Sequence, residues 1–418
     1  MNICCKDFIS AGRRINKRIL CVSLSFLFVS LIYGKDFIAD NVKFAERQME
    51  GMLYRSPHLA NPCTITKDGK TKYIKARDWR SGFFPGSLWY MYKLTGDAKW
   101  KTWADKYSRS IEEVKNYTGN HDVGFMIYCS FGNGLRFSGN EEYKNVIIQA
   151  ARSLCSRFRP KAGIIQSWNV TAKHREKGWI CPVIIDNMMN LELLFEASLL
   201  SGDTSFKEIA LSHLNKTLAL HFRPDGSCYH VVDYDPDNGN VRHRMTFQGL
   251  ADESAWSRGQ AWAIYGYTMA YRYTRDIRCL NQAIKTFEFM RNHPNMPKDC
   301  VPYWDMDVTE KDEPRDASSA AVIASALLEL ERYVSPSQAK DYRRYAKRIL
   351  KSLSSSSYRA KVGENNYFLL KHSVTCKPFD SEVDVPLNYA DYYYLEALCR
   401  YAECMKKKNN VGNNITII

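Results

Sequence analysis

No apolar stretch in this chain of 418 residues is long enough to cross a bilayer. The run Ile19–Tyr33 spans only about 15 residues where a membrane helix needs about 20. No segment rich in proline, glycine or serine divides the chain, so a flexible linker between two domains is not expected. The ten cysteines beyond Gly34 stand singly, without a C-x-x-C pair, which argues against a zinc site or a disulfide scaffold and for buried thiols. There is no G-x-S-x-G, P-loop, H-E-x-x-H or Rossmann glycine pattern in its required setting, which removes the common hydrolase, nucleotide and metalloprotease readings. Asp233, Asp235 and Asp237 alternate like a calcium loop but lack the glycine and terminal glutamate of an EF-hand, so no metal or other cofactor is expected. A nucleic-acid partner is not expected either, because no basic helix, RNA-binding signature or zinc-finger spacing occurs.

What the chain does have is charge and aromatic surface. Its net charge is +14, and aromatic residues make up 13% of it, with 9 Trp and 26 Tyr. Arg13, Arg14, Lys17 and Arg18 precede the short apolar run, the pattern of an export signal cut near Gly34. Residues 1–34 are therefore read as a signal peptide and 35–418 as one catalytic domain, exported and periplasmic, with no membrane span after cleavage. An exported basic protein with an aromatic surplus suits an acidic polymer or its fragments.

Most of the mature chain reads as helix. Apolar residues recur at spacings of three and four in Leu88–Leu94, Val183–Leu200, Trp262–Tyr273, Ala320–Leu330 and Tyr392–Tyr401, while strand-like alternation is confined to pieces such as Ser227–Val232. A weak repeat sharpens this reading. Leu94-Thr-Gly-Asp97, Phe137-Ser-Gly-Asn140, Leu200-Ser-Gly-Asp203 and Tyr273-Thr-Arg-Asp276 each pair an apolar helix end with a stop residue and then a capping Asp or Asn. Stacked helical hairpins of unequal loop length result, and the irregular spacing fits a closed toroid better than an open solenoid.

The loops carry the candidate chemistry. In Glu253–Trp262, two indoles, a guanidinium and a side-chain amide crowd into a few turns, and Arg258 and Trp262 share a helix face suited to an anionic sugar. The same spacing also describes an amphipathic helix with a solvated arginine. Asp122, beside Gly124 at a helix start, is either a catalytic carboxylate or a helix cap. Asp186 falls in the first turn of a very apolar helix, with Asn190 four residues on and placed to orient it. Burial there would raise its pKa and make it the better proton donor of the two, against the alternative of a dipole partner. His230, Gln248 and His372 are further polar candidates that could equally be satisfied buried side chains.

Six segments in order resemble the unsaturated glucuronyl hydrolases of glycoside hydrolase family 88. They are Trp79-Arg-Ser-Gly-Phe-Phe-Pro-Gly86, His121-Asp-Val-Gly-Phe125, Ile185-Asp-Asn-Met-Met-Asn190, Trp256-Ser-Arg-Gly-Gln-Ala-Trp262, Pro314-Arg-Asp-Ala-Ser-Ser319 and Ala390-Asp-Tyr-Tyr393. The resemblance implies an all-α (α/α)6 barrel acting on lyase-generated oligosaccharides that end in a Δ4,5-unsaturated uronic acid. It implies that Asp186 protonates C4 and activates water for addition at C5, with Asp122 as the second essential carboxylate. It further implies that His230, Gln248, Arg258 and Trp262 surround the unsaturated sugar, that Trp79 and Trp168 stack on it, and that Lys377 with Thr375 meets a sulfate of a glycosaminoglycan disaccharide. The alternatives are the related unsaturated rhamnogalacturonyl hydrolases of family 105, acting on pectin fragments, and a non-catalytic oligosaccharide-binding toroid.

Overall fold

The computed structural model describes residues 37–413, so the proposed signal peptide lies outside the described residues. Six helices form an inner ring: Phe83–Thr95, the broken segment Val123–Ser138, Asn187–Ser201, Ser257–Thr274, Ala317–Leu330 and Asn388–Asn413. Each packs on the next, and the last packs on the first, which closes the ring. Before the first and then between them in sequence come the outer helices, spanning residues 37–55, Ala98–Arg109, Glu142–Cys155, Thr204–Leu220, Ile277–Asn292 and Pro336–Leu353. The chain is thus an (α/α)6 toroid.

Composition assigns each helix to its layer. Every residue of Ala317–Leu330 is buried, as expected for a helix with neighbours on all sides. In Pro336–Leu353 burial is confined to Tyr342, Ala346, Ile349, Leu350 and Leu353, the stripe of an amphipathic helix lying on the outside. The ring interior also holds charge. Glu396 accepts hydrogen bonds from Tyr90 Oη (2.6 Å), Tyr265 Oη (3.0 Å), Ser325 Oγ (2.6 Å) and Arg400 (3.2 Å), joining four inner helices.

All four stop-and-cap repeats form turns from an inner to an outer helix. Gly96, Gly139 and Gly202 adopt left-handed backbone at helix ends, and Arg275 does so in the fourth (φ 57°). Asp97, Asp203 and Asp276 then accept from the backbone N–H of Lys99, Ser205 and Arg278 to start the next helix. Because these turns are short, every long connection lies at the other end, where inner helices begin. The small antiparallel sheets are all found there: Asn61–Ile65 with Thr71–Ile74, Phe158–Arg159 with Ile164–Ile165, Ser373–Cys376 with Ser381–Val385, and three strands at 182–245.

Two sequence expectations shift. The helix expected from Val183 begins at Asn187, because Pro182–Ile184 pairs as a strand with Val231–Tyr234. The strand expected over Ser227–Val232 is displaced to Val231–Tyr234, since Cys228 makes an isolated bridge to Phe222 instead. None of the described helices is long and apolar enough to cross a membrane.

Candidate active site

The helix starts on the loop-bearing face bring Asp122, Asp186, His230, Arg258 and Trp262 together. Asp122 and Asp186 each hold the N-cap position of an inner helix, yet neither side chain caps it. That removes the capping alternative and leaves two buried carboxyls pointed elsewhere. Asn190 does not orient the Asp186 carboxyl. Its amide reaches the Asp186 backbone carbonyl (3.5 Å), while its oxygen accepts from Phe125 N–H (2.7 Å), which ties two inner helix starts together.

Each carboxyl faces a histidine held neutral. His121 Nε2 lies 3.2 Å from Asp122 Oδ1, and Ser167 Oγ lies 3.3 Å from His121 Nδ1. His230 Nδ1 accepts from the backbone N–H of Phe247 (3.1 Å) and Gln248 (3.2 Å), so the ring proton sits on Nε2, 3.9 Å from Asp186 Oδ2. Burial pushes both imidazoles down to about 3, helped at His121 by Arg157 and at His230 by Arg258, so neither contact is an ion pair near neutral pH.

The carboxyls move the other way. Burial pushes Asp186 up to about 7, opposed by the charge of Arg258 and the N–H of Trp262. Burial and then the Asp186 charge hold Asp122 well above the usual carboxylate range, with Arg157 opposing. Two close buried acids titrate as a coupled pair, so near neutral pH at least one proton is available to give. Asp186, pushed up to about 7, can hold a proton to give near neutral pH and keeps one oxygen without a protein partner.

Unpaired polar atoms mark where a ligand belongs. Asp186 Oδ2, His230 Nε2 and Trp262 Nε1 are buried and close no well-formed hydrogen bond within the protein. Gathered beside one another, they are the polar groups here that can turn to a ligand. Trp262 contributes its N–H more than its ring, which is wedged against Phe125 (5.3 Å) and Tyr393 (5.4 Å).

Above these groups opens a cleft of about 490 Å³, lined by Trp79, Asn120, Trp168, His174, Phe247, Gln248 and Thr375 among others. Trp168 stacks with His174 (5.7 Å) and Trp179 (6.0 Å) and leans on Phe247 (5.4 Å), forming an aromatic wall. Trp79 packs on Phe125 (5.7 Å) and Tyr389 (5.2 Å). His174 and Phe247 carried no motif in the sequence, and only their stacking on Trp168 reveals them. Phe247 and Gln248 of this cleft donate to His230, and Asn120 accepts from Asp122 N–H, which places the acids directly beneath it; a larger groove of about 700 Å³ between the 37–55 helix and residues 356–371, lined by Lys43, Arg47, Arg359 and Lys361 among others, has no such link to them.

Three expected contacts look different in place. Arg258 donates to Asp316 Oδ2 (3.1 Å), Val374 O and Thr375 O (2.6 Å), so both terminal nitrogens are engaged by protein. Gln248 Nε2 also donates to Thr375 O (2.8 Å). Lys377 is part-exposed but already paired: its ammonium bonds Glu313 and lies 5.3 Å from the Trp304 ring. Among the described residues, no group of three or more His, Cys, Asp or Glu could hold a metal ion.

A six-hairpin toroid with paired buried carboxyls under an aromatic cleft defines a glycoside hydrolase of the (α/α)6 class. The particular family follows from comparison with known proteins. Residues 59–406 match the model of Glycosyl Hydrolase Family 88, and the chain belongs to that family. It is 47% identical over 329 residues to an unsaturated glucuronyl hydrolase of Formosa agariphila, covering 78% of this chain and 80% of that one. A crystal structure of an unsaturated glucuronyl hydrolase specific for heparin superposes with a TM-score of 0.85 at 45% identity, over 89% of this chain and 98% of the other. A variant of the Streptococcus agalactiae unsaturated glucuronyl hydrolase, complexed with dGlcA-GalNAc6S, superposes with a TM-score of 0.74 at 28% identity, over 87% and 91%.

Proposed function

We propose that this enzyme removes the non-reducing-end Δ4,5-unsaturated uronic acid from lyase-generated oligosaccharides, with glycosaminoglycan disaccharides as its substrate class. The observation that carries this reading is the gap between Asp186 Oδ2 and His230 Nε2, two buried and unpartnered groups 3.9 Å apart beneath the aromatic cleft.

The chemistry follows from the groups available. In a C4=C5 vinyl ether the ring oxygen pushes electrons towards C4, so a proton from Asp186 adds there and positive charge develops at C5 and the ring oxygen. Water adds at C5 and returns a proton to the Asp186 carboxylate, which regenerates the acid. The C5 hemiketal opens, and the bond from C1 to the leaving sugar breaks as the aldehyde forms. In this reading Asp122 and the Trp262 and His230 N–H groups hold the sugar in register. Because no displacement occurs at the anomeric carbon, the spacing rule for retaining and inverting enzymes does not apply.

The test is optical: purified protein should bleach the ultraviolet absorbance of the conjugated double bond in unsaturated heparin, chondroitin or hyaluronan disaccharides. No bleaching on any of them would overturn the reading. Export is proposed on the basic and apolar residues 13–33 alone, and the mass of the mature N-terminus checks it.

A further inference from the structure

We infer that Asp316 is a positioning residue of this reaction: acting through Arg258, it fixes where a buried positive charge stands relative to Asp186. The inference rests on the proposed hydrolysis and goes beyond it, because Asp316 sits below the cleft and outside the unpaired cluster.

The geometry is that of a fixed mount. Arg258 lies in the first turn of Ser257–Thr274, is 1% exposed, and is flanked by the Trp256 ring at 4.5 Å and the Tyr389 ring at 5.4 Å. Its Nη1 donates to Asp316 Oδ2 and to the Val374 carbonyl, and its Nη2 to the Thr375 carbonyl. Asp316 is fully buried at the N-cap of Ala317–Leu330. It accepts from Ser318 N (3.0 Å), Ser318 Oγ (2.5 Å) and Ser319 Oγ (2.7 Å), with Val374 N at 3.5 Å. One carboxylate therefore ties together two inner helix starts and the strand Ser373–Cys376. A planar guanidinium with both ends held has little freedom to follow a ligand, so its charge is a permanent part of the pocket wall.

That charge is felt at the reacting groups. Asp186 is faced by Arg258, by the Asp122 carboxyl, by the neutral His230 and Cys228 side chains and by the Trp262 N–H. Arg258 is faced in turn by Asp316, Tyr389 and Asp186. Of these, Asp316 is the carboxylate that lines neither the cleft nor the reacting cluster, so its removal changes the net charge beneath the sugar pocket without taking a group out of it.

The experiment is the pH profile of kcat/KM on an unsaturated disaccharide. With Asp316→Asn the Arg258 charge is no longer offset, ionised Asp186 is favoured, and the alkaline limb moves to lower pH by on the order of one unit. With Arg258→Gln the limb moves to higher pH. Asp316→Glu keeps the charge with altered reach, so kcat falls while the limb stays in place. Reduced kcat with an unmoved limb in both Asp316→Asn and Arg258→Gln would show a purely structural role and overturn the inference. If Asp316→Asn yields no folded protein, Arg258→Gln against Arg258→Lys decides the matter, since only the first removes the charge. If the wild-type enzyme bleaches no unsaturated disaccharide, the hydrolysis reading fails by itself. The Asp186 carboxyl titration, followed by NMR in the same variants, then still decides the Asp316 inference.

Discussion

His230 Nε2 stands 3.9 Å from Asp186 Oδ2, and neither atom has a hydrogen-bond partner. The distance is too long for a direct hydrogen bond, yet one ligand oxygen set to the side, at about 2.8 Å from each atom, can bond both. Two backbone N–H groups, from Phe247 and Gln248, fix the imidazole tautomer and therefore its aim. A buried donor and a buried acceptor that do not close on each other cost stability, and a ligand group that meets both recovers it. Lys377 and Glu313 show the opposite arrangement, a donor and acceptor already closed on each other.

Asp186→Asn should lower kcat by about 10²–10⁴-fold, the usual worth of a positioned acid or base. Its effect on stability should have the opposite sign. The folded pKa is raised to about 7 by burial, so the folded protein binds the proton more tightly than the unfolded chain does. Stability from this group therefore declines as pH rises from about 4 to about 7, and above that the buried charge is a standing penalty of up to a few kcal/mol. Asn carries no such penalty. Thermal melts should show the variant more stable than wild type at pH 8 and the difference fading by pH 5; a variant less stable at pH 8 would contradict the burial argument.

His230→Gln removes the aimed N–H while keeping a polar side chain. A preorganised donor of this kind is worth about 10²–10³-fold in rate. Near-wild-type kcat/KM in the bleaching assay would mean that the 3.9 Å gap is not where the substrate reacts. Because burial holds His230 near 3, the imidazole itself should add no inflection to the rate profile between pH 5 and 8.

The ring was readable in the sequence because its turns are local. A stop residue followed at once by a capping Asp needs nothing beyond its own neighbours, and Gly96–Asp97, Gly202–Asp203 and Arg275–Asp276 behave accordingly. The site was legible as far as its residues lie at inner helix starts, which is why Asp122, Asp186, Arg258 and Trp262 could be singled out. Their partners were not. Whether Arg258 reaches a sugar or Thr375 O depends on a strand more than a hundred residues away, and no periodicity encodes that. The same holds for Asn190, which serves Phe125 N–H instead of the Asp186 carboxyl, and for the aromatic wall, where His174 and Phe247 acquire meaning only by stacking on Trp168.

Glu396→Leu tests the buried network inside the ring. The carboxylate accepts from Tyr90, Tyr265, Ser325 and Arg400, and its loss leaves three hydroxyl donors unpaired and leaves Arg400 with Glu329 as its one remaining carboxylate (3.1 Å), beside the Ser325 carbonyl and Tyr265 Oη. Removing one partner of a buried charged pair costs about 3–5 kcal/mol. Chemical denaturation should show a loss of that size, while kcat per folded molecule stays close to wild type, since none of these groups touches the cleft. A loss below about 1 kcal/mol would mean that water fills the space and satisfies the donors.

Glu313 offers a test of whether Lys377 reads sulfate. For Lys377 to meet a sulfated sugar, the sulfate must displace a carboxylate that already holds the ammonium and is itself fixed by Trp304 Nε1 (2.8 Å). Thr375, the other residue expected near a sulfate, donates its hydroxyl to Glu382 Oε2 (2.8 Å), so it is also engaged. Glu313→Gln keeps the size and an acceptor for the indole but removes the competing charge. The expected outcome is a rise in the ratio of kcat/KM for sulfated over unsulfated chondroitin disaccharides of roughly 3- to 10-fold, the scale of a partly exposed ion pair of about 1 kcal/mol. Lys377→Ala in the same background should abolish that gain. If Glu313→Gln leaves the ratio unchanged while Lys377→Ala lowers it in the wild-type background, the lysine already exchanges freely between carboxylate and sulfate. If neither substitution moves the ratio, Lys377 serves to pin the 373–385 hairpin to Glu313, and the sulfation pattern is read elsewhere in the cleft.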